Sequence, residues 1–75
     1  MIHFEIEGEF IKLDQLLKAA SIADSGGHAK FLISSGLVKV NGKPAFERGK
    51  KIRPGDEVIV DQQIIRTVSR TEPGS

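Results

Sequence analysis

Seven cations fall between residues 27 and 55: Lys30, Lys39, Lys43, Arg48, Lys50, Lys51 and Arg53, against one acid, Glu47. That block carries +6 in a chain of net charge +1, because residues 1–26 sum to −3 and residues 56–75 to −2. A local field of this kind draws a polyanion whatever the total charge; the plain alternative is a solvated basic face. A second pattern with chemistry in it is Ser25-Gly26-Gly27-His28, with Lys30 close behind. Serine caps helices, and a helix start offers unpaired N–H groups at the positive end of its dipole. Two glycines leave that backbone open to close approach by a phosphate oxygen. A capping box would set glutamate three residues after the serine. His28 stands there instead, so the expectation is that the amides of Gly27 and His28 stay free, near the Ser25 hydroxyl. The alternative is a cap and a tight turn only, with His28 an exposed side chain of no special role.

Catalysis finds little support. His3 and His28 are the only histidines, cysteine is absent, and no serine has a histidine and carboxylate at a suggestive spacing. No phosphate-binding loop or dinucleotide fingerprint occurs. The carboxylates are scattered, so no metal set is expected, nor a cofactor or catalytic residue. Absent cysteine also rules out disulfides and is compatible with a reducing compartment. No window nears 18 consecutive apolar residues, which argues against a membrane span. The first 15 residues hold Glu5, Glu7 and Glu9 and no basic stretch, so no secretory leader is expected. The expectation is a cytoplasmic protein. With 75 residues, 39% of them apolar, it should form one small domain resting on its core alone.

The elements that must position these groups follow from periodicity. Ile2, Phe4 and Ile6 alternate with polar residues and predict a strand. Leu13, Leu16, Leu17 and Ala20 predict an amphipathic helix, with Asp14 and Lys18 paired on its other side. A second helix starts at Asp24 or Ser25, buries Ala29, Leu32 and Ile33, and ends at Gly36. Phe31 falls off its inward face; the reading favours packing under another element over stacking on an unpaired base. Val38 to Val40 is a strand, Asn41-Gly42 a type I′ hairpin turn, and residues 44–47 the return. Arg48-Gly49 is a turn, and Arg53-Pro54-Gly55-Asp56 a type II turn. Residues 57–60 then close the sheet, and Ile64, Ile65 and Val68 extend that strand or add another. Phe46 is read as core, which favours phosphate contact over base stacking. Residues 69–75 are read as a flexible tail.

These segments together resemble a known family: Ile11-Lys12-Leu13-Asp14-Gln15-Leu16-Leu17, then Ser25-Gly26-Gly27-His28-Ala29-Lys30, then the run from Leu32 through Val38-Lys39-Val40-Asn41-Gly42, then Arg53-Pro54-Gly55-Asp56-Glu57-Val58. The pattern resembles the S-four domain, the RNA-binding α-L motif named after ribosomal small-subunit protein four, and looks most like its small stand-alone bacterial members. The resemblance implies an α+β fold, a two-helix hairpin on a small, mostly antiparallel sheet, here with an added N-terminal strand. It implies a single RNA-binding domain over residues 1–68. It also implies a non-catalytic module for structured RNA, ribosomal or transfer, on or off the ribosome. Carried over by position, it points to Lys12, Ser25, His28, Lys30, Lys39, Asn41 and Lys43. With the basic turns, the expected RNA-binding set is Lys12, Ser25, Gly26, Gly27, His28, Lys30, Lys39, Asn41, Lys43, Arg48, Lys50, Lys51 and Arg53. The family often has arginine at the position of Lys12 and arginine or serine near Gly26-Gly27. That departure implies weaker, less selective binding, since lysine lacks the bidentate fork. Asn41 also has a purely structural reading in the turn. Lys30, Lys39, Lys43 and residues 48–53 are expected on one continuous positive surface, in a monomer. Two other readings compete: a protein-interaction adaptor that keeps the fold without RNA binding, and a β-grasp sulphur carrier. The second is disfavoured because both helices precede the Asn-Gly hairpin.

Overall fold

The computed structural model describes residues 1–70. The chain forms β1 (Ile2–Ile6), β2 (Ile11–Lys12), α1 (Leu13–Ala19), α2 (Gly26–Ser34), β3 (Val38–Val40), β4 (Lys43–Pro44), β5 (Lys51–Ile52), β6 (Glu57–Val60) and β7 (Gln63–Ser69). Five strands make one sheet in the order β1-β7-β6-β3-β4, and β2 and β5 make a separate two-stranded ladder. All pairings are antiparallel except β1 with β7. The expected α+β architecture, a helical hairpin on a mostly antiparallel sheet with an added strand, is the one observed.

One face of the large sheet is apolar because alternate residues of each strand point the same way. Val38, Val40, Val58, Val60 and Ile65 lie on it and are buried. Leu13, Leu16 and Leu17 of α1 and Ala29 and Ile33 of α2 join them in a single core cluster, with Ile6 and Ile52 at its margins. Thr67 is the one buried polar residue among those described, and its hydroxyl donates to the carbonyls of Arg53 (2.8 Å) and Asp56 (2.7 Å). That ties the Arg53–Asp56 turn to β7. The turn closes through the Asp56 amide on the Arg53 carbonyl (3.0 Å), with Gly55 at φ 98°, as a type II turn requires.

The Asn41-Gly42 turn has both residues at positive φ, 52° and 85°, the type I′ geometry expected. Gly42 has open space around it, so replacement is opposed by the backbone alone. Gly42→Ala is expected to cost about 1 kcal/mol from the left-handed conformation of an L-residue. Denaturant unfolding should show a lower midpoint with an unchanged slope.

Several expectations need correction. The return strand covers only Lys43–Pro44: the Ala45 amide still donates to the Val38 carbonyl (3.0 Å), but residues 46 and 47 leave the ladder and Phe46 turns out to solvent. Residues 57–60 do not close the sheet. β6 lies inside it; of the two alternatives for Ile64, Ile65 and Val68, the added strand after Asp61-Gln62 is the one formed, as the seven-residue β7. Ser69, assigned to a tail by composition, pairs with Ile6, and the Arg70 amide donates to the Ile6 carbonyl (3.1 Å). The rest of the expected tail, residues 71–75, lies outside the described residues. Asp14 and Lys18 form no ion pair; the Asp14 carboxylate accepts the Gln15 amide instead (2.8 Å). Phe31 and Phe46 are not packed away but exposed, at 62% and 63%.

Candidate functional site

The start of α1 is built from two distant segments. Its first two amides, of Leu13 and Asp14, donate to the carbonyls of Lys50 (2.9 Å) and Arg48 (3.1 Å). Orphan donors that a side-chain cap would ordinarily satisfy are thus met by the 48–50 backbone. One residue further, Lys51 lies directly opposite Lys12 in the β2–β5 ladder. Arg48, Lys50, Lys51 and Lys12 are therefore gathered around one helix end. Lys51 extends its ammonium over the Phe10 ring, 4.9 Å from the centroid. Lys12 is the N-cap of α1, and its side chain makes no capping bond.

The strip continues past Lys50 into a groove of 610 Å³ that Lys50 shares with Asn41, Lys43, Pro44 and Phe46. Asn41 contributes structure more than contact. Its amide group donates to the Asp56 carboxylate (3.0 Å), and its side-chain oxygen accepts the Glu57 amide (2.9 Å). That bridge holds the hairpin turn against the Arg53–Asp56 turn, whose Arg53 side chain is exposed. Lys43 and Arg53 so flank two turns fastened to each other.

Two expected members stand elsewhere. Lys39 alternates with the buried Val38 and Val40, so it projects from the opposite face of the sheet, between Ile59 and Pro44. The single continuous surface expected from the sequence does not include it. Lys30 lies on the flank of α2 beside Gly26 and Ser34, one turn away on either side.

The start of α2 is partly as expected. Ser25 is the N-cap, and its hydroxyl accepts the His28 amide (3.1 Å). The His28 amide is therefore not free, which corrects the expectation that it would be. The ring bonds one residue before the place a capping-box glutamate would: Nδ1 accepts the Asp24 amide (3.1 Å), not that of the N-cap Ser25. The amides left without a partner are those of Gly26 and Gly27, and no side chain closes over them.

Lys12, Lys30, Lys39, Lys43, Arg48, Lys50, Lys51 and Arg53 are all exposed, and none is paired with a carboxylate among the described residues. The arginines that do pair, Arg66 with Glu57 and Arg70 with Glu7, lie outside the +6 block. This segregation leaves a field that no ion pair among the described residues quenches. Among the described residues no group of acids and histidines could hold a metal, and no helix is long and apolar enough to cross a membrane.

Comparison with known proteins agrees with this geometry. A family model described as the S4 domain matches residues 4–68. The "Probable ribosome maturation protein RlbA" of Bacillus subtilis is 43% identical over 56 residues, 75% of this chain and 79% of that protein. An uncharacterized RNA pseudouridine synthase of Aquifex aeolicus is 37% identical over 60 residues, 80% of this chain but 19% of that protein. The small ribosomal subunit protein uS4m of Schizosaccharomyces pombe is 39% identical over 54 residues, 72% of this chain and 16% of that protein. Among solved structures, trimeric heat shock protein 15 of Vibrio cholerae superposes with a TM-score of 0.66 at 26% identity, covering 88% of this chain and 72% of that one.

Proposed function

Because the chain belongs to the S4 domain family, we propose that it is a non-catalytic RNA-binding module, residues 1–68, that holds structured ribosomal RNA during ribosome maturation. The observation that carries this is the strip of unpaired cations around the start of α1, Lys12 with Lys51 and Arg48 with Lys50, continued by Lys43 and Arg53. Phosphates spaced along a folded RNA meet such a strip without any base being read, which makes contact depend on shape. The free amides of Gly26 and Gly27, with Lys30 beside them, offer a second phosphate position. Ribosomal RNA is favoured over transfer RNA by the name of the full-length relative in Bacillus subtilis. The module works in the cytoplasm as a monomer.

If about four of these cations neutralise phosphates, log affinity should fall against log salt with a slope of roughly −3 to −4. Filter binding of a structured ribosomal RNA fragment over a range of salt checks this. A protein adaptor that kept the fold and lost the RNA contacts would show no binding at low salt. The sulphur-carrier reading falls with the family assignment and with the helices' place before the hairpin.

A further inference from the structure

We infer that Phe46 is a stacking platform for one unpaired base, so that the groove beside it takes a bulged or looped nucleotide and not only duplex backbone. The inference rests on the RNA-binding reading above and adds to it the kind of RNA preferred. Phe46 is 63% exposed, an unusual position for a phenyl ring in a chain with four phenylalanines. It lines a concave groove of 610 Å³ together with Pro44, Asn41, Lys43 and Lys50. Its ring edge rests against Gly36, 3.6 Å from where a Cβ would stand, at the left-handed turn that ends α2. The ring is thus seated from behind while the rest stays open. The groove is also lined by Lys43 and Lys50, neither paired with a carboxylate among the described residues, and by one acid, Glu47.

An exposed apolar ring sharing a groove with two cations and one acid matches a nucleotide turned out of its stack: the base lies on the ring and the adjoining phosphates meet the lysines. An apolar protein side chain would use the ring but leave both ammonium groups unanswered. Duplex RNA would use the lysines but leave the ring in water. The occupant committed to is therefore an unpaired base with its flanking phosphates. Such a stack is sequence-tolerant, because every base has a π-face.

The test compares two short RNA hairpins of equal length, one fully paired and one with a single unpaired adenine in the stem. The parent protein is expected to prefer the bulged hairpin by roughly tenfold, the span of one base–aromatic stack. Phe46→Ala should abolish that preference, and Phe46→Trp should retain it. Lys50→Ala should weaken both hairpins by the same factor and leave the preference standing. Melting curves for each variant separate loss of binding from loss of fold. Equal binding of the two hairpins by the parent, or a preference that survives in Phe46→Ala, overturns the inference while leaving the RNA-binding reading intact. Failure of the parent to bind either hairpin at low salt overturns both.

Discussion

Replacing Lys12 with aspartate is expected to make the protein more stable and a poorer RNA ligand at once. Lys12 is badly placed for stability. It occupies the N-cap of α1, where a cation faces the positive end of the helix dipole and an anion would be favoured. It also stands directly across from Lys51, and like charges opposed in a ladder repel. Lys12→Asp removes the first fault and turns the second into an attraction. The expected gain is about 1 kcal/mol, from the helix dipole and the cross-strand pair together, since the amides of Asp14 and Gln15 that a capping side chain would accept already have partners. The Lys51 ammonium keeps its place over Phe10. Binding should move the other way, because one phosphate partner is lost and a carboxylate is set among those that remain. The affinity is expected to fall about tenfold or more, with the salt slope shallower by about one. Unfolding in urea and RNA binding should be measured on the same preparation. A variant that is more stable and binds RNA as tightly as the parent would remove Lys12 from the interface.

The second large effect concerns Thr67, where valine has the same shape but no hydroxyl. Thr67 is 1% exposed, and its Oγ1 is shared between the Arg53 and Asp56 carbonyls. Each carbonyl keeps one backbone partner after the change, the Asp56 amide for Arg53 and the Thr67 amide for Asp56. What is lost is the side-chain part of the anchor between turn and strand, two backbone bonds to Thr67 remaining, and the carbonyl pair then faces a buried methyl group. The expected cost of Thr67→Val is about 2 kcal/mol. For a domain of this size that lowers the melting temperature by roughly 10 °C. RNA affinity well below the melting point should change little, since the cations reach their positions through other bonds. An unchanged melting temperature would show that the valine side chain fills the site as well as the hydroxyl binds it.

The parts of the fold legible in the sequence were those with a period or a punctuation mark. β1 and both helices came from spacing, and the turns at Asn41-Gly42 and Pro54-Gly55 from residues that tolerate positive φ, with the Pro54 ring fixing the negative φ before Gly55. The β2–β5 ladder was not legible, because two-residue strands have no period, and it is this ladder that sets Lys12 against Lys51. Ser21 ends α1 at φ 62° without a glycine to announce it. The exposed aromatic rings misled for a related reason: hydrophobicity marks a residue as fit for the core without showing that the core has room. The signal for Phe46 was available in its neighbours, since it sits amid Lys43, Glu47, Arg48 and Lys50 with no apolar partner at either strand or helix spacing. For His28, the sequence located the gap left by the missing glutamate but not that the imidazole would turn to the Asp24 amide just ahead of the cap.

The parallel pairing of β1 with β7 bears on how the chain reaches this state. Ile2 lies beside Ile65 and Ile6 beside Ser69, so the first strand waits for a partner more than sixty residues away. Closing so long a loop must come before its contacts give any return, which places the domain among the slower mixed α/β folders and not with helical hairpins of its length. During synthesis the two helices and the β3–β4 hairpin can form while β1 still has no neighbour. A ribosome making this chain must extrude nearly all of the described sequence before the sheet has its edge. Until then the inward residues Ile2, Phe4 and Ile6 are uncovered, and the alternating glutamates Glu5 and Glu7 keep that unpaired strand from joining another chain.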